Sequence, residues 1–210
     1  MLPRSELIGP ESMRARAARD MAPMPTEPPM AAPARVFCRR RALYDIICDT
    51  SPIQYLYQLN LLHILPVLAK SVCVPPAVVR ELDAGRALGI ALPDLLQLDW
   101  VTVRQPVSAA ALPLINDLGP GETEVLMLAL ESRESVAVLD DNLARRLANS
   151  LDLHYTGTLG LLLDAKHAGL ISTVAPLLEQ LQALRFHLAS HTRIAVLKLA
   201  GELDDKHVNT

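Results

Sequence analysis

The chain has 210 residues, enough for one domain with appendages, and half of them are hydrophobic, which is ample for a core. Only 3% are aromatic, so Leu, Val, Ile and Ala must do the packing, and every long apolar stretch is broken by Asn60, Lys70, Asp164 or a proline, which excludes a membrane-spanning helix. The net charge of −3 hides a split: residues 1–44 hold eight arginines and four acids, leaving twelve Lys/Arg against nineteen Asp/Glu out of totals of 20 and 23. An acidic main body can bind nucleic acid only through local cations or a metal ion, not through its overall field.

Taken in order, residues 1–43 lack apolar periodicity and are rich in Pro, Met and Ala, so they are expected to be a disordered extension. They contain no secretory h-region. Met13, Met21, Met24 and Met30 leave room for a start assigned too far upstream, and Arg35, Arg39, Arg40 and Arg41 for a basic nucleic-acid arm. The first strand is expected at Ile46–Cys48, stopped by Asp49. Thr50 or Ser51 can cap the helix that follows, and Pro52 suits its first turn. A second helix over Leu61–Ala69 is expected to bend at Pro66, and a second strand covers Ser71–Val74.

Pro75-Pro76 then opens a helix reaching Gly85 or Gly89, and a third strand follows at Val101–Val103. Residues 106–118 read as a connection with some helical character. An apolar helix from Thr123 to Ser132 is introduced by Gly119-Pro120-Gly121-Glu122, and Val136–Leu139 is a fourth strand stopped by Asp140-Asp141. A helix at Asn142–Ser150, a weak fifth strand at His154–Thr156 and a helix from Gly157 onward complete the alternation. From Thr173 the pattern is helical only. Alternating strands and helices imply a parallel sheet covered on both faces. The domain is expected over residues 44–200, with 201–210 a tail. Cys48 and Cys73 fall in strands, where a reduced, buried thiol points to the cytoplasm.

The chemistry rests on acids at strand ends. In an open α/β sheet, ligands bind beyond the carboxyl ends of the strands, where Asp49 and Asp140/Asp141 fall. Each could instead cap the next helix. Two such carboxylates on neighbouring strands repel unless a cation lies between them. Glu124 sits in a helix that is apolar on nearly every side and needs a partner there. Glu122 lies about 200° away round that helix and is better suited to its first turn, where the helix dipole favours an acid. Neutralising Asp49 or Asp140 is therefore expected to stabilise the metal-free fold. Arg145 forms a helix pair with Asp141 or holds a phosphate, with Arg146 as its alternative. Thr158 caps a helix or helps its N–H groups meet a phosphate. His187 and His191 have zinc-like spacing but no third ligand, and read as surface or packing residues.

Five segments in this order resemble the PIN-domain family, in a branch of compact bacterial proteins: Cys48-Asp49-Thr50-Ser51-Pro52, Val74-Pro75-Pro76-Ala77-Val78-Val79-Arg80-Glu81-Leu82, Gly119-Pro120-Gly121-Glu122-Thr123-Glu124, Val138-Leu139-Asp140-Asp141 with Ala144-Arg145-Arg146, and Thr156-Gly157-Thr158-Leu159-Gly160. The resemblance implies a three-layer α/β/α PIN-like fold with a central parallel sheet and additional C-terminal helices. It also implies a Mg²⁺- or Mn²⁺-dependent ribonuclease, in many cases the toxin of a toxin–antitoxin pair. Carried over by position, the catalytic acids are Asp49, Glu81, Glu124 and Asp140, with Asp141 as an alternative metal ligand. Thr50, Ser51, Arg145, Arg146 and Thr158 stand where substrate would bind. Many active members carry Asp where this chain has Glu124. The expected partners are RNA, an antitoxin protein and a second copy of the chain, with no membrane. The alternative is a non-catalytic PIN-like protein that binds RNA or protein.

Overall fold

The computed structural model describes residues 44–107 and 118–203. The expectations for residues 1–43 and for most of the 106–118 connection lie outside these, as do residues 204–210 of the expected tail. The described residues form a five-stranded parallel sheet flanked by eight helices, a three-layer α/β/α fold. The strands are β1 (Asp45–Cys48), β2 (Ser71–Val74), β3 (Val101–Val103), β4 (Val136–Val138) and β5 (His154–Thr156). Their order is β3-β2-β1-β4-β5, with every neighbour parallel. Buried Ile46, Ile47, Cys48, Val72, Val74, Ala137 and Val138 line its middle, so these central strands are continuous apolar runs and not alternating ones.

The chain first builds outward from β1 to β3, then crosses back to lay β4 on the free side of β1. Strand order therefore reverses between β1 and β4, which is where an open α/β sheet forms its crevice. Cys48 is in register with Val138, and the N–H of Asp49 donates to the Val138 carbonyl at 3.1 Å. Asp49 and Asp140 thus leave adjacent strands at one rim.

The helices are α1 (Thr50–Gln58), α2 (Leu65–Leu68), α3 (Pro76–Ala87), α4 (Pro120–Glu131), α5 (Asn142–Ser150), α6 (Thr158–His167), α7 (Ala175–Ala183) and α8 (Ser190–Leu199). Where one bent helix was expected over Leu61–Ala69, a 3₁₀ turn at Leu62–Ile64 leads into the single turn α2, with Pro66 in its first turn. Proline lacks the N–H that a continuing helix would need, and starts one instead. The cap position of α1 is Asp49, one residue before Thr50 and two before Ser51, the two hydroxyls expected to cap it. His187 lies in the loop before α8 and His191 within it, so they share no helix turn. Among the described residues, no helix is long and apolar enough to cross a membrane.

Candidate active site

Two aspartates occupy the same local position, one just after β1 and one just before α5, and the structure treats them differently. Asp141 caps α5: its Oδ1 accepts from Leu143 N at 2.7 Å and Ala144 N at 2.8 Å. Asp49 caps nothing. It stands at the N-cap of α1 with extended backbone, yet its carboxylate closes no capping hydrogen bond. It is 2% exposed, and its Oδ1 is buried without a hydrogen-bond partner. An ionised oxygen in that state is costly, so something must neutralise it.

Glu81 is the acid brought to face it. From the second turn of α3, its Oε1 accepts the Gly121 N–H at 2.8 Å, and its Oε2 accepts the Thr50 hydroxyl. Gly121, at the start of α4, leaves the space between the two carboxylates open. A Cβ there would stand 2.7 Å from Glu81 Oε2 and 2.9 Å from Asp49 Oδ1. Pro75-Pro76 and Pro120 start these two helices, so both place an acid or a bare N–H at the rim.

Burial pushes the Asp49 carboxyl up to about 8. The charge of Glu122 and, to a smaller extent, that of Glu81 push the same way, while the Thr50 and Ser51 N–H groups oppose them. Glu122 therefore bears on the site although its sequence position suggested only a helix-dipole role. Its carboxylate turns back over Gly119, where a Cβ would meet Oε2 at 2.3 Å.

Glu124 faces elsewhere. Its Oε2 accepts the Ala77 N–H at 2.8 Å and its Oε1 pairs with Arg80 at 3.3 Å, so it satisfies the first turn of α3 across the α3–α4 contact. The partner that a carboxylate in a buried helix requires is thus a helix start. Around α4 the roles of Glu122 and Glu124 depend on which side meets α3, and the 200° separation lets only one of them face Asp49.

Asp140 is also engaged. Its Oδ1 accepts Thr158 N at 2.9 Å and pairs with Arg145 Nη2 at 3.2 Å, while its Oδ2 accepts Thr158 Oγ1 at 2.5 Å. Asp140 thus supports the start of α6 from a neighbouring strand. Burial nevertheless holds its carboxyl above the ordinary range, against the opposing pull of Thr158 and Arg145. Arg145 is tied to Asp140 and, through Nε, to the Leu139 carbonyl at 2.7 Å, in place of the expected helix pair with Asp141. Gly157 makes room for this guanidinium, since a Cβ there would lie 2.0 Å from Nη2. Arg146 is exposed.

Among the described residues, no three His, Cys, Asp or Glu side chains converge into a metal-holding group. The structure brings Asp49 and Glu81 together, adds the charge of Glu122, and engages Glu124, Asp140 and Asp141 elsewhere. A divalent cation still fits the Asp49–Glu81 pair. The donors are hard oxygens, one of them is orphaned and buried, and the space above Gly121 is clear. Mg²⁺ commonly takes one or two carboxylates and fills its remaining positions with water and substrate phosphate.

A sequence model described as a PIN domain matches residues 45–202 of the chain. No curated protein matches it.

Proposed function

The chain belongs to the PIN-domain family, and from that premise we propose that it is a divalent-metal-dependent ribonuclease, acting as the toxin of a toxin–antitoxin pair in the cytoplasm. Asp49 and Glu81 would hold a Mg²⁺ or Mn²⁺ ion, with Glu122 strengthening the negative field around it. The observation that carries this reading is the buried, unpartnered Oδ1 of Asp49 facing Glu81 across the open space at Gly121. A helix cap would have been satisfied locally, as Asp141 is.

Bound there, the cation would supply charge neutralisation and water activation for phosphodiester hydrolysis. The chain's own residues prepare the rim for it. Gly121 N–H and the Thr50 hydroxyl hold Glu81 in one orientation, so that little reorganisation is needed when substrate arrives. Asp140 and Leu139 O fix two of the five N–H groups of Arg145, and the rest of the partly exposed guanidinium remains to steady a phosphate. Glu124 and Asp140 act in this reading as positioning groups for α3 and for Arg145.

The rival is a non-catalytic PIN-like protein that binds RNA or a protein partner, favoured by the absence of a three-acid group among the described residues. Incubating the purified chain with mixed single-stranded RNA, in Mn²⁺ or in EDTA, separates the two. Cleavage that needs the metal and vanishes in Asp49→Asn supports the enzyme. Absence of cleavage, or cleavage surviving that substitution, supports the rival. An antitoxin partner and a homodimer belong to the same reading; co-expression with the neighbouring gene product and light scattering test them.

A further inference from the structure

Six helices end in the same way. The residue after the cap turns into the left-handed region and donates to the carbonyl three back, and the next residue donates to the carbonyl five back. That turn suits Gly, and to a lesser degree Asn and Asp. Five of the six positions obey this: Asn60, Gly89, Asp152, Gly169 and Gly201. The sixth, after α7, is Arg185 at φ 66°. Its N–H donates to Gln182 O at 3.0 Å, and the Phe186 N–H to Leu181 O at 2.9 Å. Arginine gains nothing from this backbone conformation. Its side chain is exposed and has no hydrogen-bond or ion-pair partner among the described residues.

The strained turn carries Phe186 onto α1. Phe186 meets Tyr55 edge to face, with ring centroids 5.1 Å apart and planes at 80°. Tyr55 belongs to α1, the helix that Asp49 precedes, and helical side chains lean toward their N-terminus, here toward the rim. Consistently, the Tyr55 hydroxyl is raised by burial and then by the charge of Asp140. Both rings are half-buried. In a chain with only 3% aromatic residues, two are thus paired on the helix that follows Asp49, next to a cation in a strained turn that has no partner among the described residues.

We infer that Arg185, Phe186 and Tyr55 form the wall that receives an unpaired nucleotide of single-stranded RNA next to the scissile phosphate. The rings offer stacking surface to the base, and Arg185 offers its guanidinium to the backbone phosphate. Stacking of this kind needs a splayed base, so single strands are favoured over duplex. The inference rests on the ribonuclease reading and adds to it the residues that receive the strand.

Two variants test it: Arg185→Gly, which relaxes the turn, and Phe186→Leu, which keeps bulk but removes the ring. The probe is a fluorescein-labelled single-stranded oligoribonucleotide of mixed sequence, titrated in EDTA, beside a hairpin of the same composition. Arg185→Gly is expected to raise Tm by about 2–4 °C while weakening single-strand binding and lowering the magnitude of its salt slope by about 0.7. Phe186→Leu is expected to weaken single-strand binding about fivefold or more and to erase the preference over the hairpin. If both variants bind as wild type does, or wild type binds no RNA, the inference is overturned. A purely structural Arg185 would show the gain in Tm alone. Failure of the nuclease reading shows separately, as no metal-dependent cleavage by wild type whatever the binding.

Discussion

Gly121 donates its backbone N–H to Glu81 at 2.8 Å, forty residues away in sequence, and so ties the start of α4 to the second turn of α3. The bond requires that residue 121 have no side chain on the site face, because a Cβ would crowd both Glu81 and Asp49. Alanine is otherwise the better helix former by roughly 1 kcal/mol. Gly121→Ala is therefore expected to leave Tm within a few degrees of wild type while abolishing the rise in Tm that millimolar Mn²⁺ is expected to bring to wild type. Thermal melting with and without Mn²⁺ reads both effects. An unchanged metal response would place the cation elsewhere.

Asp49 predicts an unusual pH dependence. Its folded carboxyl titrates at about 8, against roughly 3.9 in the unfolded chain. Between those values the folded state binds the extra proton, so the metal-free protein loses stability as pH rises through that window. The loss is on the order of a few kcal/mol. Asp49→Asn should flatten this dependence and melt higher than wild type at pH 8 in EDTA, with little difference at pH 4. Added Mg²⁺ or Mn²⁺ should rescue wild type at pH 8 and leave the variant unmoved. A variant less stable than wild type at pH 8 would mean that the ionised carboxylate is structural.

Asp140 differs from Asp49, although the sequence suggests that neutralising either would stabilise the apo fold. Asp140→Asn removes the counter-charge of Arg145 and offers an amide where Thr158 needs an acceptor. We expect it to lower stability by about 1–3 kcal/mol. Gly157→Ala should do likewise, since its Cβ would also meet the Leu139 carbonyl at 2.9 Å. Denaturant titration of both variants checks this; a gain in stability for Asp140→Asn would show that its burial outweighs its bonds.

Glu122 and Glu124 should separate cleanly. Glu122→Gln removes charge from beside Asp49 and is expected to reduce metal-dependent cleavage without lowering Tm. Glu124→Ala leaves the Ala77 N–H unsatisfied and should cost about 0.5–2 kcal/mol, with cleavage retained well below the melting point. The opposite pattern, activity lost in Glu124→Ala alone, would make Glu124 the third acid after all.

What the sequence determined by itself is local. Apolar runs such as Ile46–Cys48 and Val136–Val138 could only be buried strands, and the acids that end them had to lie at the sheet's rim. Proline pairs and glycines marked the helix starts to within a few residues, because they act through φ and a missing N–H and not through partners. The five family segments followed from the same local patterns. Tertiary structure decided which acid does what. Asp49 and Asp141 sit before similar helices, yet only Asp141 caps its helix, while Asp49 is pinned by its register with β4 and turned toward Glu81. Glu124 met α3, and so Glu122, two residues earlier, was left to face the site. A carboxylate's role depends on which N–H, hydroxyl or guanidinium reaches it first. Those donors, Gly121, Ala77, Thr158 and Arg145, come from other elements whose approach no local pattern records.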